Sequence, residues 1–350
     1  MGDKMKKINV LNLIKYYSEG NDTAFRSEAY DIARDFDKSG DHELAEYVMA
    51  LLSNTNTFTP QSNETNSPFF EKIDVSNFSL PLPEKIKNDV LGIVNAIGHN
   101  IGVNKFLFEG VPGSGKTETV KQIARILNRE LYMVKFDIIV DSKLGQTSKN
   151  ITSAFMEINK LLHPENAIIL FDEIDAIALD RLNSNDLREM GRATSTLLKE
   201  LDNLNERVVL IATTNLFKSF DKALIRRFDA VINIDRYTKE DLVDVAESIL
   251  NDYLERFDSA AKDIRLFRKI IFLMKEKLFP GDLKNLIKTS LAFSNPKNEY
   301  DYLIRLYEGI TNSKIDGDIK KLQNEGFTIR EIEKLTGISK SQVSRGLNGE

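Results

Sequence analysis

The chain has 350 residues, 41% of them hydrophobic, with a formal net charge of −5, no cysteine and three histidines. This is a globular composition, long enough for two or three packed units and without the apolar runs of a membrane protein. It excludes disulfides, thiolate metal sites and cysteine nucleophiles, while His42, His99 and His163 are too scattered for an imidazole metal site. The acidic balance argues against a nucleic-acid-coated surface overall but leaves room for a small DNA-binding module.

From the N-terminus, MGDKMKKINV is basic, yet LNLIKYYSEGND breaks any signal-peptide core, and Lys6 spoils the myristoylation pattern after Gly2. A cytoplasmic protein with no membrane partner is expected. Residues 1–53 read as two or three short amphipathic helices, through Leu11, Ile14 and Tyr17, then Phe25, Ala29, Ile32 and Phe36, then Leu44, Tyr47, Val48 and Leu51. SGD at 39–41 marks a break. The polar run SNTNTFTPQSNETNSP, with two prolines, predicts a linker, taken over 54–77. Over 78–235, strand-like runs alternate with helical patterns: KFLFE, LYMVKFD, AIILFDE, VVLIATT and AVINID. Such alternation predicts an α/β unit with a parallel sheet. Residues 236–310 become helical, opened by Leu242, Val245, Ile249 and Leu250, and 311–350 form a further small helical unit.

GVPGSGKT, from Gly110 to Thr117, fits the phosphate-loop pattern and stands between the strand KFLFE and a helix bearing Val120, Ile123, Ala124 and Leu127. Its glycines let backbone N–H groups approach phosphates, and the helix N-terminus adds positive partial charge. The binding set expected for ATP is Gly110, Pro112, Gly113, Ser114, Gly115, Lys116, Thr117 and Glu118, with Lys116 on the outer phosphates and Thr117 on Mg²⁺. IILFDEID is an apolar strand ending in carboxylates at the edge where parallel α/β sheets bind ligands. Asp172 suits the Mg²⁺ shell and Glu173 the deprotonation of an attacking water. At the end of VVLIATTN, the Asn215 amide suits the lytic water, although asparagine is also an ordinary turn residue there.

In this order the motifs resemble the AAA family of ATPases, within the AAA+ superfamily: GVPGSGKT as Walker A, IILFDEID as Walker B, IATTN as sensor 1, and FDKALIRRFDAVINI as the segment ending in arginine fingers. The likeness runs from about Phe78 to Phe293 and implies a P-loop AAA+ parallel-sheet core with a helical lid. It further implies ATP hydrolysis with Mg²⁺ in a homo-oligomeric ring, usually a hexamer, where Arg226 and Arg227 reach a neighbouring subunit's nucleotide. Two positions depart from the family. Lys143, Leu144 and Gly145 stand where polypeptide-threading members carry an aromatic, an aliphatic and a glycine, so lysine replaces the aromatic grip. In PGDLKNL, Lys284 stands where many relatives have a γ-phosphate-sensing arginine; it can meet phosphate as a point charge or simply be solvated.

Residues 318–348 have the cadence of a helix-turn-helix and resemble the domains of resolvases and bacterial regulators. Ile319 and Leu322 open one helix, Thr328 caps a second with Ile332 and Leu335, and TGIS turns into a third, whose Lys340, Gln342 and Arg345 would meet duplex DNA. From Lys314 onward seven basic side chains face six acidic ones, which is weak electrostatics for DNA and leaves protein docking open. The N-terminal helices look like those of bacterial AAA proteins found beside subtilisin-like peptidases, which implies a protein partner, a protease among the candidates. The expected function is therefore ATP-driven remodelling or regulation of a protein partner. The rival is an ATP-dependent DNA-binding switch controlling initiation, transposition or transcription.

Overall fold

The computed structural model describes residues 7–19, 21–52, 67–75, 80–99, 101–141, 145–161, 163–178, 187–257, 260–315 and 317–348. They fall into two compact units, 1–67 and 68–350. The first unit holds the helices α1 (Lys7–Ser18), α2 (Asp22–Ser39) and α3 (His42–Leu52). Asn21 caps α2 by accepting from the Ala24 N–H at 3.1 Å, and Gly40, at φ +90°, ends it in the left-handed conformation that glycine adopts most readily. Ala29, Ile32, Ala33, Ala45 and Leu52 are buried, whereas Leu11, Ile14 and Tyr17 on α1 stay exposed. The periodicity thus locates α1 correctly but not a buried face.

The second unit begins with β1 (Phe70–Ile73), α4 (Glu84–Gly98), β2 (Lys105–Glu109), α5 (Lys116–Leu127), β3 (Glu130–Val134), α6 (Phe136–Ile139) and α7 (Gln146–Asn159). It continues with β4 (Ala167–Phe171), α8 (Asp175–Ala178), α9 (Leu187–Asp202), β5 (Val209–Thr214), α10 (Lys222–Ile225) and β6 (Ala230–Asn233). The sheet order is β1-β3-β4-β5-β2-β6. Strands β2 to β6 are mutually parallel, while β1 pairs antiparallel with β3.

That edge strand corrects the expected linker, since Phe70–Ile73 lies inside 54–77; FEKI offers only two apolar side chains, too few for a periodic signal. Residues 53–66 lie outside the described ones. The strand read through Asp137 stops at Val134, and Phe136 instead opens a helical turn with its ring edge-on to Phe171 at 5.8 Å.

Alternation along the central strands sends side chains to two cores, as strands buried on both faces require. Phe106, Phe108, Ile168, Leu170 and Ile211 pack with α4 and α5 through Ile86, Val90, Val120 and Ile123. Leu107, Ile169, Phe171, Leu210 and Ala212 pack with α7 and α9 through Ile151, Phe155, Leu197 and Leu201.

The lid comprises α11 (Lys239–Leu254), α12 (Ile264–Phe272), α13 (Pro280–Ala292) and α14 (Asp301–Thr311), followed by α15 (Ile319–Asn324), α16 (Ile329–Thr336) and α17 (Lys340–Asn348). Thr238 starts α11 with a capping box to Asp241, and Thr328 starts α16 with one to Glu331. The last three helices do not stand apart. Leu322, Phe327, Ile332, Leu335 and Val343 belong to the same buried core as Leu303, Leu306 and Tyr307 of α14. Each such burial contributes about 1.5–3 kcal/mol. Ion pairs flank this junction, from Lys334 to Asp263 at 2.6 Å and from Lys269 to Glu331 at 2.7 Å. The expected separate domain over 311–350 is therefore a structural extension of the lid.

Candidate active site

The glycine-rich loop joins the carboxyl end of β2 to α5, in the crevice where the strand order reverses. Gly113 (φ +74°) and Gly115 (φ +97°) hold left-handed conformations that side chains with a Cβ avoid. Gly113 is also covered: the Gly281 N–H on the first turn of α13 donates to its carbonyl at 2.8 Å. A Cβ on Gly281 would lie 2.9 Å from Gly113 Cα, so the lid meets the loop backbone to backbone. Tyr237 adds a second clasp, its hydroxyl donating to the Ser114 carbonyl at 3.0 Å. Burial, with a smaller contribution from Asp241, pushes that phenol up to about 12, so it stays protonated as a donor.

Lys116 is buried, with its ammonium donating to the carbonyls of Gly110 at 2.8 Å and Val111 at 3.0 Å and to Asn215 Oδ1 at 2.6 Å. Burial lowers its pKa, against the raising influence of Asp172, Glu173, Asp175 and Asp235. Thr117 Oγ1 donates to both Asp172 oxygens, at 3.0 and 3.1 Å. Asn215 Nδ2 donates to Glu173 Oε1 at 3.1 Å. The Asn215 amide thus links the lysine after the loop to the second carboxylate of IILFDEID. Glu173 has φ +54°, an uncommon conformation for a residue other than glycine.

The other expected residues are distributed less evenly. Glu118 turns along its own helix, 4.0 Å from Lys121 and 3.8 Å from Arg125. Pro112 is exposed on the loop, and Ser114 is fully buried. Lys284 is exposed on α13, one turn beyond the Gly281 contact. Arg226 and Arg227, treated alike by the sequence, separate. Arg227 makes a two-point contact with Asp202 at 3.1 and 3.2 Å, while Arg226 is exposed at the end of α10 with no ion pair among the described residues. Lys143 and Leu144 lie outside the described residues, and Gly145 precedes α7 at φ +76°.

Sequence reasoning passed over four residues that the geometry brings in: Asp175, Thr213, Tyr237 and Gly281. Asp175 is buried and accepts from the Asn215 N–H at 2.8 Å and from the Thr214 hydroxyl. Two successive threonines closing an otherwise apolar strand were the available signal, because a buried hydroxyl requires a partner.

Residues 106–236 match the family model "ATPase family associated with various cellular activities (AAA)". An uncharacterized AAA family ATPase, y4kL, of Sinorhizobium fredii (strain NBRC 101917 / NGR234) is 32% identical over 263 residues, covering 67% of this chain and 74% of that protein. The chain belongs to the AAA family of ATPases. The proteasome-activating nucleotidase of Methanococcus maripaludis is 30% identical over 250 residues, which cover 69% of this AAA chain and 56% of that protein, just over half its length. A chain of the E. coli MS115-1 HORMA:CdnC:Trip13 complex shares the fold, with a TM-score of 0.55 and 16% identity over 70% of this chain and 94% of that one. Nucleotide binding comes with the family. Among the described residues no helix is long and apolar enough to cross a membrane.

Proposed function

We propose that this AAA protein hydrolyses ATP in a homo-oligomeric ring, a hexamer, and uses the cycle to remodel or regulate a protein partner. The observation that carries the reading is the hydrogen-bonded run Lys116–Asn215–Glu173, which aligns a phosphate-seeking ammonium, a water-orienting amide and a carboxylate base across the ends of β4 and β5. Lys116 would exchange the carbonyls of Gly110 and Val111 for phosphate oxygens. Glu173 would take the proton of the attacking water, and Asn215 would orient that water.

The paired Thr117 hydroxyl and Asp172 carboxylate form the sparse oxygen donor set that suits Mg²⁺, which keeps several waters and binds substrate phosphates. Bound there, Mg²⁺ would neutralise charge on the phosphates. Arg226, free of ion pairs among the described residues, is the better candidate to act on a neighbour's nucleotide, a role worth roughly 10³–10⁵ in rate where it operates.

A protein partner, with a peptidase among the candidates, is favoured because a relative matched over just over half its length is named proteasome-activating. The test is steady-state hydrolysis with direct nucleotide binding. Glu173→Gln should bind ATP and lose turnover, and Lys116→Ala should lose binding; undiminished hydrolysis by Glu173→Gln overturns the assignment.

A second reading, duplex DNA on the tail, is favoured by one observation. Ser339 just before α17 and Lys340, Ser341, Gln342 and Arg345 along it are exposed, while Val343 is buried. Fluorescence anisotropy on a labelled duplex at low salt tests it. Lys340→Ala and Arg345→Ala should each flatten the salt dependence by about one unit, and binding indifferent to both removes DNA from the account.

A further inference from the structure

Thr213 is fully buried at the penultimate position of β5, beside the carboxyl end of β4. Its hydroxyl both donates to and accepts from the neighbouring carboxylate turn. It donates to Asp172 Oδ1 at 2.7 Å and accepts from the Glu173 N–H at 2.8 Å. Its backbone carbonyl takes the next N–H of the same turn, that of Ile174, at 3.0 Å. One residue thus holds three consecutive positions, and the middle one, Glu173, has φ +54°. Such a conformation persists only where surrounding structure over-determines it. A hydroxyl that donates one hydrogen bond and accepts another cannot be replaced by an apolar group of the same shape without orphaning the Glu173 N–H.

We propose that Thr213 is a positioning residue for hydrolysis, whose hydroxyl locks the Asp172–Glu173 peptide so that the Glu173 carboxylate meets Asn215 while Asp172 keeps its face toward Thr117. The hydroxyl acts on the geometry of the two carboxylates and not on the nucleotide. Binding through the glycine-rich loop and Lys116 is therefore independent of it, and turnover is not. The inference rests on the hydrolytic reading above for its kinetic consequence, but the hydrogen-bond lock has a readout of its own.

The experiment compares Thr213→Val, which is nearly isosteric but lacks the hydroxyl, with Thr213→Ser, which keeps it, in the full chain. ATP affinity and thermal midpoint are measured first, then kcat and KM, then amide hydrogen exchange over 171–175. Thr213→Val should lower kcat by roughly 10- to 100-fold with ATP affinity, measured without Mg²⁺, within about twofold, as expected for misplaced catalytic groups. Thr213→Ser should return kcat to within about threefold of the parent. Exchange at the Glu173 amide should speed by about tenfold or more in Thr213→Val and not in Thr213→Ser.

Equal kcat in Thr213→Val and the parent overturns the proposal, as does an equal loss in the Val and Ser variants, which would point to packing. If Thr213→Val does not fold, Thr213→Ala against Thr213→Ser decides by the same criteria. If the parent itself does not hydrolyse ATP, the functional reading fails. The exchange measurement then still decides the lock: unchanged protection at Glu173 on loss of the hydroxyl refutes it.

Discussion

Gly281→Ala isolates the contact between lid and phosphate loop. The added Cβ would stand 2.9 Å from Gly113 Cα and 3.3 Å from Gly113 O, both backbone atoms that no rotamer can move aside. Overpacking of this kind costs about 1–3 kcal/mol, and losing the 2.8 Å hydrogen bond from the Gly281 N–H to the Gly113 carbonyl adds about 0.5–1.5 kcal/mol. Gly281 lies in a helical first turn without a positive φ, so alanine brings no backbone strain and the penalty falls on the docking itself. If nucleotide binds to the docked arrangement, even about 2 kcal/mol, near the low end of that sum, weakens ATP affinity about 30-fold. Isothermal titration with ATP measures this directly. Gly92→Ala on α4, where an added Cβ meets nothing within 4 Å, serves as a control and should be neutral or slightly stabilising. ATP affinity unchanged in Gly281→Ala, with the midpoint also unchanged, would refute the argument that this backbone contact organises the loop.

Two further outcomes follow from the charged groups. Arg226→Ala subunits mixed with Lys116→Ala subunits should recover part of the hydrolysis that each lacks alone. Arg227→Ala, which breaks an exposed pair with Asp202 worth at most about 1 kcal/mol, should retain most activity; the opposite ranking would reassign the pair. At Asp263, burial pushes the carboxyl up but is outweighed by hydrogen bonds from Lys334 and the Leu266 N–H, so its pKa lies below the ordinary 3.8. At Glu331, burial is likewise outweighed, by Lys269 and Thr328, and its pKa lies below the ordinary 4.5. Depressed carboxyl pKa values stabilise docking above those ordinary values and lose their effect as pH falls through the folded ones. Hydrogen exchange over 319–348 should therefore accelerate on acidification below that range, after correction for intrinsic rates. Asp263→Asn should already show part of this acceleration at neutral pH, and a pH-independent tail would refute the role of the two carboxylates.

Much of the core was legible because its signals are local. Five parallel strands announce themselves as short apolar runs, and GVPGSGKT and IILFDEID stand at strand ends where chain direction alone puts them on one edge. What escaped depends on partners distant in sequence. FEKI becomes a strand only because β3 presents a free edge to it. Arg226 and Arg227 are indistinguishable as neighbours in a motif, and only Asp202, on a helix upstream, tells them apart. The residues 318–348 showed their three helices through caps and glycines, but not that the apolar faces of those helices would be spent on the lid. Gly281 could be seen as a glycine in a helix start; that it touches Gly113 could not.

These contacts form a continuous path from the nucleotide loop to the far end of the chain. Gly113 meets Gly281 on α13, α13 shares a core with α14, and α14 carries Tyr307, whose hydroxyl donates to Glu325 at 2.7 Å and whose ring meets Phe327. Beyond Phe327 lie α16 and α17, held by Ile332, Leu335 and Val343 in that same core. Spatial continuity alone does not establish coupling; the physical requirement is an element whose arrangement both ends bias. The lid is the candidate for such an element, since it meets the loop through Gly281 and Tyr237 and the tail through an apolar face. A partner on the exposed side of α17 that favours the docked lid would, by reciprocity of linkage, raise ATP affinity by the same factor by which ATP raises its own. This reciprocity holds for a protein or a nucleic acid alike. It makes the nucleotide dependence of partner binding, measured from both directions, a more informative observation than either affinity alone.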